Sequence, residues 1–308
     1  MENSEEETFQ LASTEEEEPP RVIPPPGPPP PTVRGKPKCR IWKVFLAILA
    51  ILVAGSVLWA FFIEPDRLRV TRHQIAVPNF KGSRPVRVVH LSDLHFEGGK
   101  RREKKLAGIV NALRPDIVVI TGDFLNRPEA QEPLGQFLES IKAPDGIYAV
   151  RGNWDLVVKP YEALRRGGVT LLENRWKILR IAEAPFHIVG LGYPKVGYLP
   201  RLLPKKKPGV FRIVLYHTPE ILDDIAQYPF DLCLVGHTHG GQVRLPFLGA
   251  AVRLFIRRWY KYDAGLHPLD GKFLYVNRGV GMSGVFPPAR FLCPPEVALF
   301  EIGPPQAK

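Results

Sequence analysis

The stretch Gly236-His237-Thr238-His239-Gly240-Gly241 sits directly after the apolar segment Phe230-Asp231-Leu232-Cys233-Leu234-Val235. A short leucine- and valine-rich segment bounded by glycine reads as a buried strand. A buried strand that ends in Gly-His-x-His-Gly-Gly lifts two imidazoles clear of a sheet edge. The glycines let the backbone turn and come close to an ion without a Cβ clash. Neutral imidazole is the commonest side-chain ligand for transition metals. On its own the pair reads equally well as two loop histidines. What decides is whether other strands end in the same way.

They do. From residue 85 onward, apolar segments of strand length alternate with segments of helical spacing. Strands are expected at 86–91, 116–120, 146–150, 169–172, 176–181, 187–191, 211–216, 242–245, 272–276 and 296–302. Helices are expected at 100–113, 131–141, 159–166 and 219–227. This alternation predicts an α/β layered domain with a mixed sheet. The core strands end in Ser92-Asp93-Leu94-His95, Thr121-Gly122-Asp123, Arg151-Gly152-Asn153-Trp154-Asp155 and Tyr216-His217-Thr218. Side chains two apart on extended chain point the same way, so Asp93 and His95 can share one ion. Open α/β sheets bind their ligands beyond strand ends. The candidate ligands are Asp93, His95, Asp123, Asn153, His217, His237 and His239, all nitrogen or oxygen donors. That set suits Mn, Fe or Zn rather than a structural thiolate zinc. Seven ligands exceed one ion and suit two, with one carboxylate bridging. The cysteines, Cys39, Cys233 and Cys293, are too few and too widely spaced for a disulfide framework or a zinc cluster.

The N-terminal part is of another kind. Residues 1–33 carry acidic runs and a proline-rich run, and cannot bury enough apolar surface to offset their ordering entropy, so disorder is expected. Residues 34–43 form a basic collar of Arg34, Lys36, Lys38, Arg40 and Lys43. Residues 44–63 then carry no charge, over the length a helix needs to cross a bilayer, with Trp42 and Trp59 near the ends. The run starts late, is long for a signal peptide, and lacks a small-x-small cleavage site. One membrane anchor is therefore expected. The collar, set against Arg67, Arg69 and Arg72 beyond the span, places the N-terminus in the cytoplasm. A linker at 64–84, a domain at 85–303 and a short tail at 304–308 complete the division. Beyond residue 63 the chain holds 36 basic and 23 acidic residues. Such a balance suits anionic partners, or is ordinary solubility charge.

Asp-x-His, Gly-Asp, Gly-Asn, a lone His and Gly-His-x-His, in that order, make the chain resemble the calcineurin-like metallophosphoesterases. The likeness covers about residues 85–303. The segment from Gly279-Val280-Gly281 to Arg290-Phe291-Leu292-Cys293-Pro294-Pro295-Glu296 is similar to the end of that family's bacterial membrane-associated branch. The resemblance implies a metallo-dependent phosphatase fold, a four-layer α-β-β-α sandwich, here preceded by one transmembrane helix. It implies that Asp93, His95 and His239 hold one divalent ion, that Asn153, His217 and His237 hold the other, and that Asp123 bridges. It places Asp123, Asn153, Trp154 and Asp155 in the catalytic centre. A metal-activated hydroxide would then attack a phosphodiester, phosphomonoester or pyrophosphate bond, with no side-chain nucleophile.

One position departs from the family, which usually reads Gly-Asn-His-Asp or Gly-Asn-His-Glu. The histidine thought to protonate the leaving oxygen is Trp154 here, and indole cannot donate that proton. Either the leaving group needs no proton, or another acid supplies it, or catalysis is weak. Two further readings stay open beside a general phosphoesterase. One is a hydrolase of UDP-diacylglucosamine in lipid A synthesis, which requires a cytoplasmic domain. The other is a metal-binding sensor or scaffold without turnover. A nuclease ranks lower, since no basic-aromatic reading module stands apart, and nucleic acid is not an expected partner. The expected partners are the membrane and a lipid-linked or nucleotide-linked phosphorylated substrate. Arg278, after a strand, is in reach of a phosphate or sits in a surface ion pair. His73, His90, His187 and His267 read as structural or surface residues. The basic stretches 205–207 and 253–261 could lie on anionic lipid or form a solvated face.

Overall fold

The computed structural model describes residues 27–28, 38–254, 261–282 and 288–305. The acidic run, the start of the basic collar and residues 255–260 lie outside them. Helix α1 (Lys38–Leu58) continues into a π-helical turn, Trp59–Ile63, and a 3-10 turn, Glu64–Asp66. Its apolar side chains point outward, with Ile51 70% and Phe62 73% exposed. A helix whose apolar residues are exposed all round is not a core helix of a soluble protein. The stretch Trp42–Asp66 is long and apolar enough to cross a membrane.

Strands and helices then alternate: β1 (Arg69–Ala76), β2 (Val86–Leu91), α2 (Arg101–Ala112), β3 (Ile117–Thr121), α3 (Gln131–Ser140), β4 (Ile147–Val150), α4 (Tyr161–Arg166), β5 (Thr170–Leu171), β6 (Arg175–Ile181), β7 (Ala184–Gly190), α5 (Leu199–Leu202), β8 (Phe211–Leu215), α6 (Ile221–Ile225), β9 (Leu232–Val235), β10 (Arg244–Leu245), β11 (Gly249–Ala250), β12 (Gly265–Leu269), β13 (Lys272–Val276) and β14 (Glu296–Gly303). One six-stranded sheet runs β1-β14-β2-β3-β4-β5, the other β12-β13-β9-β8-β7-β6. Strands β2 to β5 are parallel, as are β7, β8, β9 and β13. Strands β6 and β12 are antiparallel edges, and β14 enters antiparallel to β2.

The layers follow from the side-chain alternation. Val88, Ile117 and Val119 of the first sheet pack against Ile188, Ile213 and Leu234 of the second. The opposite face of the first sheet, Val89, Val118 and Ile120, is covered by Leu106 of α2, Leu134 of α3 and Leu164 of α4. Val214 and Cys233 on the outer face of the second sheet meet Leu202 of α5 and Ile221 of α6. Central strands are thus buried on both faces, which is why β3 reads Ile-Val-Val-Ile without alternation. Each such side chain contributes about 1.5–3 kcal/mol by leaving water. The protein is the expected α-β-β-α sandwich, preceded by one apolar helix.

Residues 69–76 differ from the expectation. They lie in the stretch read as linker, yet pair along their whole length with β14. Only Ile75 of this strand is buried, so its sequence, Arg-Val-Thr-Arg-His-Gln-Ile-Ala, carries charge on an exposed edge. Lys206, within the basic stretch 205–207, is engaged by Asp231, which leaves it less free for lipid.

Candidate metal centre

The C-terminal ends of β2, β3, β4, β8 and β9 deliver the polar clusters to one place. The backbone there is bent against its preference. Asp93 (φ 47°), His95 (42°), Asp123 (55°), His237 (69°) and His239 (50°) all lie in the left-handed region. Each non-glycine residue held so costs about 1–3 kcal/mol and persists only where the surroundings over-determine it. They do so here. Asp93 N–H donates to Gly122 O at 3.0 Å and His95 N–H to Asp123 O at 2.9 Å, lacing the β2 loop to the β3 loop. Two close approaches demand glycine. A Cβ at Gly152 would strike the Asp123 carboxylate, and one at Gly236 would strike the Ser92 hydroxyl and the Asp93 carboxylate.

Two groups of three result, Asp93-His95-His239 and Asp123-His217-His237, each with ligand atoms within 4.8 Å of one another. His239 Nε2 lies 3.6 Å from Asp93 Oδ1. Asp123 Oδ2 lies 3.6 Å from His95 Nε2 and 3.4 Å from His217 Nε2, so one oxygen reaches into both groups. His217 Nε2 also lies 2.9 Å from Asn153 Oδ1 and 3.1 Å from His237 Nδ1. All seven residues singled out from the sequence are therefore together.

Surrounding groups orient the rings. His95 Nδ1–H donates to Asn126 Oδ1 at 2.7 Å and His217 Nδ1–H to Thr121 O at 2.8 Å, which turns each Nε2 inward. Asp93 accepts from His237 N–H at 2.9 and 3.1 Å and from the Ser92 hydroxyl at 2.6 Å. Behind Ser92 a buried chain continues. Thr121 Oγ1–H donates to Ser92 at 2.8 Å, and His90 Nε2–H donates to Thr121 Oγ1 at 2.9 Å.

The residues fit a cation. Among the described residues His95 Nε2 and His239 Nδ1 are buried with no hydrogen-bond partner, and the carboxylates of Asp93 and Asp123 face the imidazole nitrogens of His239, His95 and His217. Burial opposes charge on Asp123, but His217 and His95 outweigh it and hold the carboxyl down to about 2. Burial opposes charge on His217 too, and Asp123 outweighs it, pushing the imidazole up to about 9. Burial lowers His95 to about 4 and holds His237 and His239 below the ordinary histidine range. The centre thus calls for positive charge beside Asp123.

The remaining candidates are placed differently. Asp155, expected among the catalytic groups, is fully buried, and its carboxylate accepts from Gly152 N–H (2.8 Å), Asp123 N–H (2.8 Å) and Phe124 N–H (2.9 Å). It positions Asp123 and the Asn153 loop, and no oxygen is left for substrate. Burial and the Asp123 charge push its carboxyl up to about 7, against the pull of the three donors. Trp154 donates its N–H to Asp123 Oδ1 at 2.8 Å, and the residue is 36% exposed. Arg278 lies against the Gly240 turn, and its Nε is buried with no hydrogen-bond partner among the described residues. The other histidines are structural. His90 and His187 are buried, His73 packs on Tyr275 and Phe300, and His267 bonds Ala264 O at 3.1 Å. Sequence reading missed Ser92, Thr121 and Asn126. The first two stand in strand-end clusters, which was the one available signal.

Comparison with known proteins agrees with this geometry. The family model described as calcineurin-like phosphoesterase matches residues 86–241. The metallophosphoesterase YkuE of Bacillus subtilis is 31% identical, over 83% of this chain and 93% of its own length. The phosphodiesterase YaeI of Escherichia coli is 30% identical, over 84% and 97%. The UDP-2,3-diacylglucosamine pyrophosphatase LpxG of Chlamydia trachomatis is 29% identical, over 82% and 95%.

Proposed function

Because the chain belongs to the calcineurin-like phosphoesterase family and is a metal-dependent phosphoric ester hydrolase, we propose that it is a membrane-anchored enzyme with two metal ions acting on a lipid-linked or nucleotide-linked phosphate. The observation that carries this reading is the single oxygen, Asp123 Oδ2, within reach of both His95 and His217. We assign Asp93, His95 and His239 to one divalent ion, and Asn153, His217 and His237 to the other, with Asp123 between them. Nitrogen and oxygen donors without thiolate suit Mn, Fe or Zn.

Two such cations supply Lewis acidity and bring the pKa of water toward neutrality. The protein's own part is geometric. Asp155 pins the Asp123 and Asn153 loops to each other, Asn126 and Thr121 fix the ring faces of His95 and His217, and His237 N–H and Ser92 hold Asp93. Arg278 is assigned to a substrate phosphate oxygen, supported by its place against the Gly240 turn that follows His239. At Trp154 no proton can be given to the leaving oxygen.

That last feature favours a second, narrower reading. A phosphate or nucleotide departs as an anion without help, so a pyrophosphate bond suits this centre better than an alkyl ester. The relative LpxG bears a pyrophosphatase name. Hydrolysis of a UDP-linked diacylglucosamine requires the domain to face the cytoplasm. The collar of Lys38, Arg40 and Lys43 argues for a cytoplasmic N-terminus and an external domain, so reporter fusions at both ends separate the two.

The test of the main reading uses the full chain in neutral detergent, loaded with Mn. Its substrates are bis-nitrophenyl phosphate, nitrophenyl phosphate and a UDP-linked sugar. At least one should be hydrolysed, and Asp123→Ala should lose both turnover and metal. A chain that holds two ions and turns over none of the three would overturn the proposal.

A further inference from the structure

At the end of the apolar helix a groove of 660 Å³ opens between the helix and the segment 291–294. Ile51, Leu52 and Gly55 form one wall, on a single helix face by their spacing. Phe291, Leu292 and Pro294 form the other. Leu292 is held at φ 52° and is 49% exposed, an apolar side chain kept strained at the edge of this space.

Arg67 and Arg69 also line the groove. Both are exposed, and among the described residues neither is paired with a carboxylate. Arg67 lies over the Trp59 ring at 5.0 Å. The one acid among the described lining residues, Glu64, is buried and committed to Trp59 Nε1–H at 2.8 Å and to Cys293 N–H at 2.6 Å. The groove is therefore apolar along the helix and cationic where the helix ends. Indole and guanidinium together at that depth match the chemistry of the lipid headgroup zone.

We propose that this groove binds one anionic glycerophospholipid, its phosphate on Arg67 and Arg69 and an acyl chain against Ile51, Leu52 and Gly55. The proposal rests on the reading of α1 as a membrane anchor. Guanidinium pairs with phosphate through two parallel hydrogen bonds, which sets the headgroup's place. The segment that lines the groove also backs the metal cluster, since Cys293 Sγ–H points to His239 O at 3.3 Å.

The test uses the full chain in neutral detergent, given equal amounts of dioleoyl-phosphatidylglycerol and dioleoyl-phosphatidylcholine, with bound lipid counted by native mass spectrometry. One phosphatidylglycerol per chain should be retained in preference. Arg67→Gln and Arg69→Gln should each lower that preference about fivefold, the usual worth of one basic residue at an anionic surface. Arg72→Gln, an exposed arginine of β1 outside the groove, should leave it unchanged. At Gly55 an added Cβ meets no atom within 4 Å, so Gly55→Leu fills the acyl wall without disturbing packing. It should lose the lipid while keeping the unliganded melting temperature. Inorganic phosphate should neither displace the lipid nor raise that temperature. Equal retention of both lipids, indifference to Arg67 and Arg69, or full retention in Gly55→Leu would each overturn the proposal. Release of the chain from membranes by alkaline carbonate would instead sink the anchor reading, and it is read separately.

Discussion

Glu64 and Cys293, 229 residues apart, are joined by a 2.6 Å hydrogen bond from the Cys293 N–H to Glu64 Oε1. Glu64 ends the apolar helix, and Cys293 Sγ points to the carbonyl of His239. The helix end and the metal loop are therefore two steps apart through one cysteine. Glu64→Ala leaves the Cys293 and Trp59 donors without their acceptor, which costs about 1–3 kcal/mol. For a domain of this size, at about 2–4 °C per kcal/mol, the melting temperature falls by roughly 2–12 °C. Glu64→Gln retains a carbonyl and should fall between. Thermal melts of the full chain in detergent check this, and identical melts for wild type and Glu64→Ala would remove Glu64 from the account.

Asp155 gives the second prediction. Its carboxylate ties Asp123 and Gly152 together from behind. Asp155→Asn keeps the shape but turns amide hydrogens toward backbone N–H groups. Loss of such a supporting partner weakens metal binding by about 10- to 100-fold. Titration of the metal-free variant with Mn should show that loss while its circular dichroism stays that of a folded domain. Unchanged Mn affinity would contradict a positioning role.

The seven candidate ligands and the layered fold were legible because both are local. An apolar run of five residues that stops at Asp-x-His or Gly-His-x-His carries its own strand and its own ligand. Strand β1 was not legible, since an edge strand with one buried residue has no apolar period to detect. Strand β12 hid for a similar reason, with Pro268 at an edge position. The partners of Asp155 were not legible, because nothing in Gly-Asn-Trp-Asp tells which way the last carboxylate faces. Asn126 turns His95 from 31 residues away, a relation that exists only once β2 and β3 lie side by side.

A pH dependence follows from His90. It is fully buried, and burial lowers its pKa from 6.5 to about 3. In the unfolded chain it takes a proton near the ordinary value. Between the two the unfolded chain binds more protons, so this contribution is intact above about pH 6.5 and is lost as pH falls toward 3. One proton is worth about 1.4 kcal/mol per pH unit. His90→Gln retains a donor toward Thr121 and cannot titrate. Urea unfolding between pH 6 and pH 4 should show a pH slope smaller by that amount in the variant. Parallel slopes would mean that His90 is not held neutral.

The last prediction concerns the leaving group. Trp154 stands where the family usually carries histidine, and its N–H already serves Asp123 Oδ1. Its main-chain role is therefore independent of its ring. The ring cannot protonate a departing oxygen, and such help is typically worth about two to four orders of magnitude. An alkoxide suffers most from its loss, and a phosphate or nucleotide anion least. Wild-type rates across a series of aryl and alkyl phosphodiesters should fall steeply as leaving-group pKa rises, and a pyrophosphate bond should be cut faster than an alkyl ester. Trp154→His retains the bond to Asp123 and adds an imidazole at a partly exposed position, so it should flatten the slope. Equal wild-type rates on alkyl and pyrophosphate substrates would show that the missing histidine does not select the substrate.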